Sequence, residues 1–110
     1  MSPAFRSLVV SVSDLDAAKA IYTTLLGEPH TDQPYYVGYA AGDFQVALVP
    51  QGDDAAGSVA FADVEDLDGV RASLLSAGAT ERSAPRQVAP QVRVCVLEDG
   101  DGNPIGLRGR

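Results

Sequence analysis

The chain nearly repeats itself. Val12-Ser13-Asp14-Leu15-Asp16 returns about half the chain later as Val64-Glu65-Asp66-Leu67-Asp68, and the same offset lays Lys19 on Arg71, Ala20 on Ala72 and Thr24 on Ser76. Gly27 falls one position past Gly78. Such a repeat constrains a fold more than composition does, because one supersecondary unit must then serve twice. Two copies describe a paired module, not a solenoid. The expectation is one domain over residues 1–110, built of modules at about 5–50 and 58–108. Two half-sheets related by a pseudo-twofold axis can close over a concavity, so any chemistry is expected where the copies face each other.

A chain of 110 residues supports one core of ordinary size. Its 45% hydrophobic and 21% charged residues match a soluble globular domain. Trp is absent and aromatics are few, so Val, Leu, Ala and Ile must build the core. The net charge of −7 repels phosphate backbones, and no polybasic run suits an anionic membrane. One cysteine, Cys95, excludes an intrachain disulfide; with a single histidine it also excludes the usual Cys/His zinc clusters. Cys95 itself suits a small apolar place in a strand. No stretch approaches the ~20 apolar residues of a membrane span, and Met1 is not followed by a leader-like apolar run, so a cytoplasmic protein is expected.

Each copy predicts β-α-β-β-β. Phe5 to Val12 is a strand leading into Ser13-Asp14, a helix N-cap. Leu15, Ala18, Tyr22, Leu25 and Leu26 then recur at helical spacing, and Gly27 ends the helix at about 15–26. Glu28–Pro34 is a polar connection with room for a short strand, and Tyr35–Ala40 and Phe44–Val49 are strands across an Ala41-Gly42-Asp43 turn. The turn formers of Gln51–Gly57 link the copies. In the second copy Ser58–Val64 is a strand and Asp66 a cap; Leu67, Val70, Leu74 and Ala77 line a helix that Gly78 stops. Ala79–Arg82 suggests a short strand and Ser83–Pro90 a Pro-containing loop. Val92–Glu98 and Pro104–Arg108 make the last hairpin. The fold class is α+β, eight strands and two helices.

Strand alternation assigns faces. Leu8, Val10, Val12, Val46 and Leu48 should pack under the first helix, which leaves Ser7, Val9, Gln45 and Ala47 on the far face. In the second copy Ala60, Ala62, Val64, Ile105 and Leu107 are assigned to the core, with Val59, Phe61, Asp63, Gly106 and Arg108 opposite. Val92, Val94 and Val96 are taken as core, which turns Arg93 and Cys95 to the far face. Matching the copies puts Tyr36 there as well.

The run from Val12-Ser13-Asp14-Leu15-Asp16 through Tyr22 to Leu25-Leu26-Gly27 resembles the opening of a vicinal oxygen chelate module. So does Asp66-Leu67-Asp68 through Leu74 to Ala77-Gly78-Ala79, followed by Asp101-Gly102-Asn103-Pro104-Ile105. The resemblance spans nearly the whole chain and is nearest to small glyoxalase/bleomycin-resistance-like proteins. It implies paired βαβββ units curling into an incomplete barrel, and commonly a homodimer. Catalytic members of that superfamily hold a divalent metal with His, Glu or Gln from four strand positions. Carried over, these are Ser7, Ala47, Val59 (Ser58 if the register slips by one) and Gly106. None is a strong metal ligand. No metal or other cofactor is expected.

The leading expectation is therefore metal-independent binding of a small, partly apolar molecule, with drug sequestration of the bleomycin-resistance type as its best-known form. Tyr36 would stack on a flat ligand, Phe61 would pack on it and Arg93 would hold an anionic or carbonyl group. Ser7, Gln45, Ala47, Val59, Cys95 and Gly106 would shape the wall. Arg93 could instead pair with a carboxylate such as Asp63. An alternative is a lyase or isomerase using Asp63 as acid or base; another is a degenerate module serving only subunit association. His30 is assigned to a polar loop away from the four carried-over positions. Asp99-Gly100-Asp101-Gly102-Asn103 opens like a calcium loop but lacks its later Gly and Glu, so it is taken as a hairpin turn.

Overall fold

The computed structural model describes residues 3–51 and 57–110. These run β1 (Ala4–Val12), α1 (Leu15–Leu26), β2 (Thr31–Gln33), β3 (Tyr36–Ala41), β4 (Phe44–Pro50), β5 (Gly57–Val64), α2 (Leu67–Ser76), β6 (Thr80–Ala89), β7 (Val92–Glu98) and β8 (Pro104–Gly109). The βαβββ order thus occurs twice in an α+β chain. Most of the linker between the copies lies outside the described residues. The chain divides into two compact units, Arg6–Val59 and Ala60–Arg110 with the start of β1.

In the first unit the strands pair in the order β2-β3-β4-β1. β1 runs parallel to β4, with Val10 opposite Leu48 and Val9 opposite Ala47. β3 and β4 form a hairpin, Ala41 opposite Phe44, and Gly42 takes the positive φ of 64° that so tight a turn requires. The side chain of Asp14 caps α1 by accepting from the Ala17 N–H at 3.0 Å, and Gly27 closes the helix at φ 89°. Leu15, Ala18, Tyr22 and Leu26 pack on Val37, Tyr39, Val46 and Leu48. Leu25, expected on that face, is 74% exposed. One residue is 100° of helix rotation, so Leu26 takes the core place and Leu25 turns away. Tyr39 is fully buried, and its hydroxyl lies 2.8 Å from Thr23 Oγ1 and donates to the Lys19 carbonyl at 3.3 Å, so burial leaves no polar group unpaired.

The second unit repeats the plan in the order β5-β8-β7-β6. β5 is parallel to β8, and Asp66 caps α2 through the Gly69 N–H at 3.1 Å. Val70, Leu74, Leu75 and Ala79 pack against Ala62, Val64, Leu67, Cys95, Leu97 and Leu107. Ala77 is exposed, replaced in the apolar stripe by Leu75.

Two expectations change here. The segment Ser83–Pro90, expected as a loop, is mostly strand: β6 continues to Ala89 with register shifts between Ser83 and Arg86 and again after Gln87. β6 pairs only with β7 in its unit, and Pro85 falls in the shift between Ser83 and Arg86, where the N–H that proline lacks is not needed. The faces of β7 are also reversed. Cys95 and Leu97 are the buried residues, 1% and 0% exposed, whereas Val94 and Val96 are only half-buried. Asp99 makes the final turn by accepting from the N–H groups of Asp101 and Asn103, each at 2.9 Å, and from the Asn103 side chain. These hydrogen bonds, led by the Asn103 side chain, hold its carboxyl below the usual range.

Candidate functional site

In the first unit the far face is built from the strand positions between the core residues. Val9 pairs with Ala47, Ala47 with Gly38 and Gly38 with Thr31, giving one transverse row of mostly small side chains. Ser7 pairs with Gln45 in the next row, and Gln33 with Tyr36 on the other side. Gly38 leaves a gap that its neighbours lean into. A side chain there would meet His30 at 2.8 Å and the Tyr36 ring at 3.0 Å.

His30 therefore lies against this face, not apart from it. Its Nε2 is 2.9 Å from Gln45 Oε1 and its Nδ1 is 2.8 Å from Thr31 Oγ1. With Gln45 Oε1 as acceptor, Nε2 is the donor of that hydrogen bond, and the Thr31 hydroxyl is the partner of Nδ1. The ring is thus held at both nitrogens while remaining exposed. Sequence patterning missed it because His30 precedes the strand and belongs to no alternation. Only the Thr31–Gly38 pairing, seen in the structure, carries the backbone of His30 to the Gly38 carbonyl at 2.9 Å.

The far face of the second unit has the same rows with different contents. Phe61, Gly106, Val96 and Ser83 pair across four strands. A side chain on Gly106 would meet the Phe61 ring at 2.5 Å, so the ring covers that position. Asp63, Arg108, Val94 and Arg86 pair in the neighbouring row. Val59 is half-buried near the beginning of β5.

Arg93 and Cys95 do not join either far face. Arg93 reaches toward α2 and binds Asp68 with both guanidinium nitrogens, at 3.1 and 2.8 Å. It was expected on the far face, holding a ligand or pairing with a carboxylate such as Asp63; the reversal of β7 turns it to the other side. The hydrogen bond from Arg93 lowers the Asp68 carboxyl below its ordinary value, and Asp68 in turn raises Arg93. Cys95 lies in the core under α2, where burial pushes its thiol up. A buried, protonated thiol is a packing group, not a nucleophile.

No family model matches this chain, and no curated protein matches it. Solved structures do. It superposes on a glyoxalase/bleomycin resistance protein/dioxygenase superfamily member from Vibrio splendidus with a TM-score of 0.71 and 12% identity, over 97% of this chain and 98% of that one. Methylmalonyl-CoA epimerase from Mycobacterium tuberculosis gives 0.69 at 19% identity, over 94% and 85%. The Mn(II)-bound glyoxalase of Novosphingobium aromaticivorans gives 0.70 at 23%, over 94% of this chain and 38% of that one. The fold is that of the glyoxalase/bleomycin resistance/dioxygenase superfamily.

The positions that the resemblance carries over offer no strong donor to a divalent cation. The carried-over positions hold Ser7, Ala47, Val59 and Gly106, and the Phe61 ring occupies the space a ligand side chain at 106 would need. Among the described residues no three His, Cys, Asp or Glu side chains come together as a metal site would require. An open cleft of about 690 Å³ lies elsewhere in the first unit, lined by Asp14, Asp16, Lys19, Asp32 and Pro34 among others. Three of its polar groups are engaged: Asp14 caps α1 and Lys19 pairs with Asp32. That hydrogen bond raises the Lys19 ammonium above its ordinary value.

Proposed function

We propose that this protein is a metal-independent binder of a small, partly apolar organic molecule, held on the far face of the first unit. The observation that supports it is the arrangement around Gly38: an imidazole fixed at both nitrogens and a Tyr36 ring left 37% exposed, beside the small side chain of Ala47. Tyr36 stacks on a flat ligand. Ser7 and the amide nitrogen of Gln45 offer hydrogen bonds, and the exposed edges of His30 and Tyr36, which close over Gly38, form the wall for the ligand body. Such a mixture of apolar wall and few directed polar groups is what small-molecule sites use.

Drug sequestration of the bleomycin-resistance type is the specific form of this reading, with the protein a cytoplasmic homodimer. Among the described residues no helix is long and apolar enough to cross a membrane. A thermal-shift screen with flat aromatic compounds and bleomycin tests the proposal. A ligand at 100 times its dissociation constant should add about 2.7 kcal/mol of stability, and Tyr36→Ala or His30→Ala should remove most of that gain. If no compound shifts the transition, the module serves only association between subunits. Sedimentation velocity decides the homodimer.

A second reading, a metal-free lyase or isomerase, draws support from Asp63, exposed on the far face of the second unit opposite Arg108. Asp63→Asn would then abolish turnover while leaving ligand affinity intact. In a pure binder the same change leaves both the thermal response and the affinity as they were.

A further inference from the structure

We propose that the far face of the second unit binds the carboxylate of a small organic acid between Arg86 and Arg108, with the apolar part of the acid on Val94 and Val96. This goes beyond the reading above: none of the residues that carry it belongs to the first unit.

The argument starts from register. Arg86 pairs with Val94, and Val94 pairs with Arg108. Directly opposed residues point to the same side of a sheet, so the two arginines flank one valine on one face. Two strand spacings separate their backbones, roughly 10 Å. Long side chains from both ends can converge over Val94, and a guanidinium pair is suited to grip one carboxylate.

Charge explains why the place is free for a ligand. Two basic groups on the helix side are held by acids: Arg71 by Glu81 and Arg93 by Asp68. Arg86 and Arg108 are both exposed and have no ion-pair partner among the described residues. Asp63 stands in register with Arg108 yet makes no ion pair with it. The row Asp63, Arg108, Val94, Arg86 thus carries one negative and two positive groups, a balance that a single anionic head completes. In a chain of net charge −7 this is a local positive site.

Polarity also orients the ligand. Val96 lies two residues along β7 from Val94 on the same face, and Glu98 lies two further. Glu98 repels a carboxylate from that end. The acid head therefore sits at the arginine row and its hydrocarbon runs toward Val96.

Nitrogen-15 correlation spectra during titration with phenylacetate, at fixed pH and ionic strength, test the proposal. Phenylacetate should move the amides of Val94, Val96 and Arg108 saturably, and neutral phenylacetamide should not. Arg86→Gln and Arg108→Gln should each weaken binding about tenfold, whereas Arg93→Gln, on the other face, should leave it unchanged. Both glutamine variants replace exposed side chains, and retention of the wild-type spectrum elsewhere confirms that they fold. Absence of saturable shifts overturns the proposal. So does inorganic phosphate binding as tightly as phenylacetate, or equal affinity in the arginine variants.

Discussion

The two units share a plan on the helix side and part company on the far side. Under the helices the equivalences are close: Asp14 and Asp66 cap, Leu15 and Leu67 begin the apolar stripes, and Leu48 and Leu107 occupy the parallel strand beneath. On the far side the row Val9, Ala47, Gly38, Thr31 corresponds to Phe61, Gly106, Val96, Ser83. The first is small and carries a hydrogen-bonded imidazole above it; the second is filled by a phenyl ring. The neighbouring rows differ in charge. Ser11 and Val49, Tyr36 and Gln33 are neutral pairs, while Asp63, Arg108 and Arg86 are ionic. Core packing holds a repeat to its pattern because every misfit there is felt. The far faces answer to what they contact, so they are free to differ.

The largest expected effects should be equal in the two units. Leu48→Ala and Leu107→Ala remove side chains that are 0% and 2% exposed, and each should cost about 2–5 kcal/mol by denaturant unfolding. A large inequality would break the symmetry of the cores. The far faces should respond unequally. Gly106→Ala drives a methyl into the Phe61 ring, which is only 9% exposed, and should cost about 1–3 kcal/mol. Gly38→Ala meets the exposed rings of His30 and Tyr36, which can yield toward solvent at the expense of the two His30 hydrogen bonds, so its cost should be smaller, about 1 kcal/mol. Adding Phe61→Ala to Gly106→Ala should recover part of the loss, a non-additivity that contact predicts. Asp14→Ala and Asp66→Ala should each cost about 1 kcal/mol, again alike, as seen in thermal melts.

The smallest effect concerns pH. The carboxyl of Asp68 is lowered by Arg93 in the folded state, so the stability it adds is fully present above the ordinary aspartate range, about pH 4. That stability is lost as pH falls below it. The difference in melting temperature between the wild type and Arg93→Gln should therefore be small at neutral pH and vanish in acid. A difference that grows on acidification contradicts the ion pair.

Much of the fold could be read in advance where two independent signals agreed. α1 spans Leu15–Leu26 as its cap, spacing and terminal glycine predict. β4 was unambiguous because its far-face positions, Gln45 and Ala47, differ in kind from Val46 and Leu48. β7 was not. Val92, Val94 and Val96 alternate with Cys95 and Leu97, so both faces are apolar and alternation cannot choose between them. By charge alone Arg93 marks the side away from the helix, but a long side chain that meets Asp68 serves as well above a core. The candidate site was legible in part: Tyr36, Gln45 and Ala47 share a face, while His30 joins them only through the pairing of β2 with β3.

Metal content after equilibrium dialysis tests the account most directly. Protein dialysed separately against manganese, nickel, zinc and iron(II), then analysed by plasma mass spectrometry, should retain none of them in stoichiometric amount. Retention of about one ion per chain, released when Ser7 or Gln45 is replaced by alanine, would contradict it.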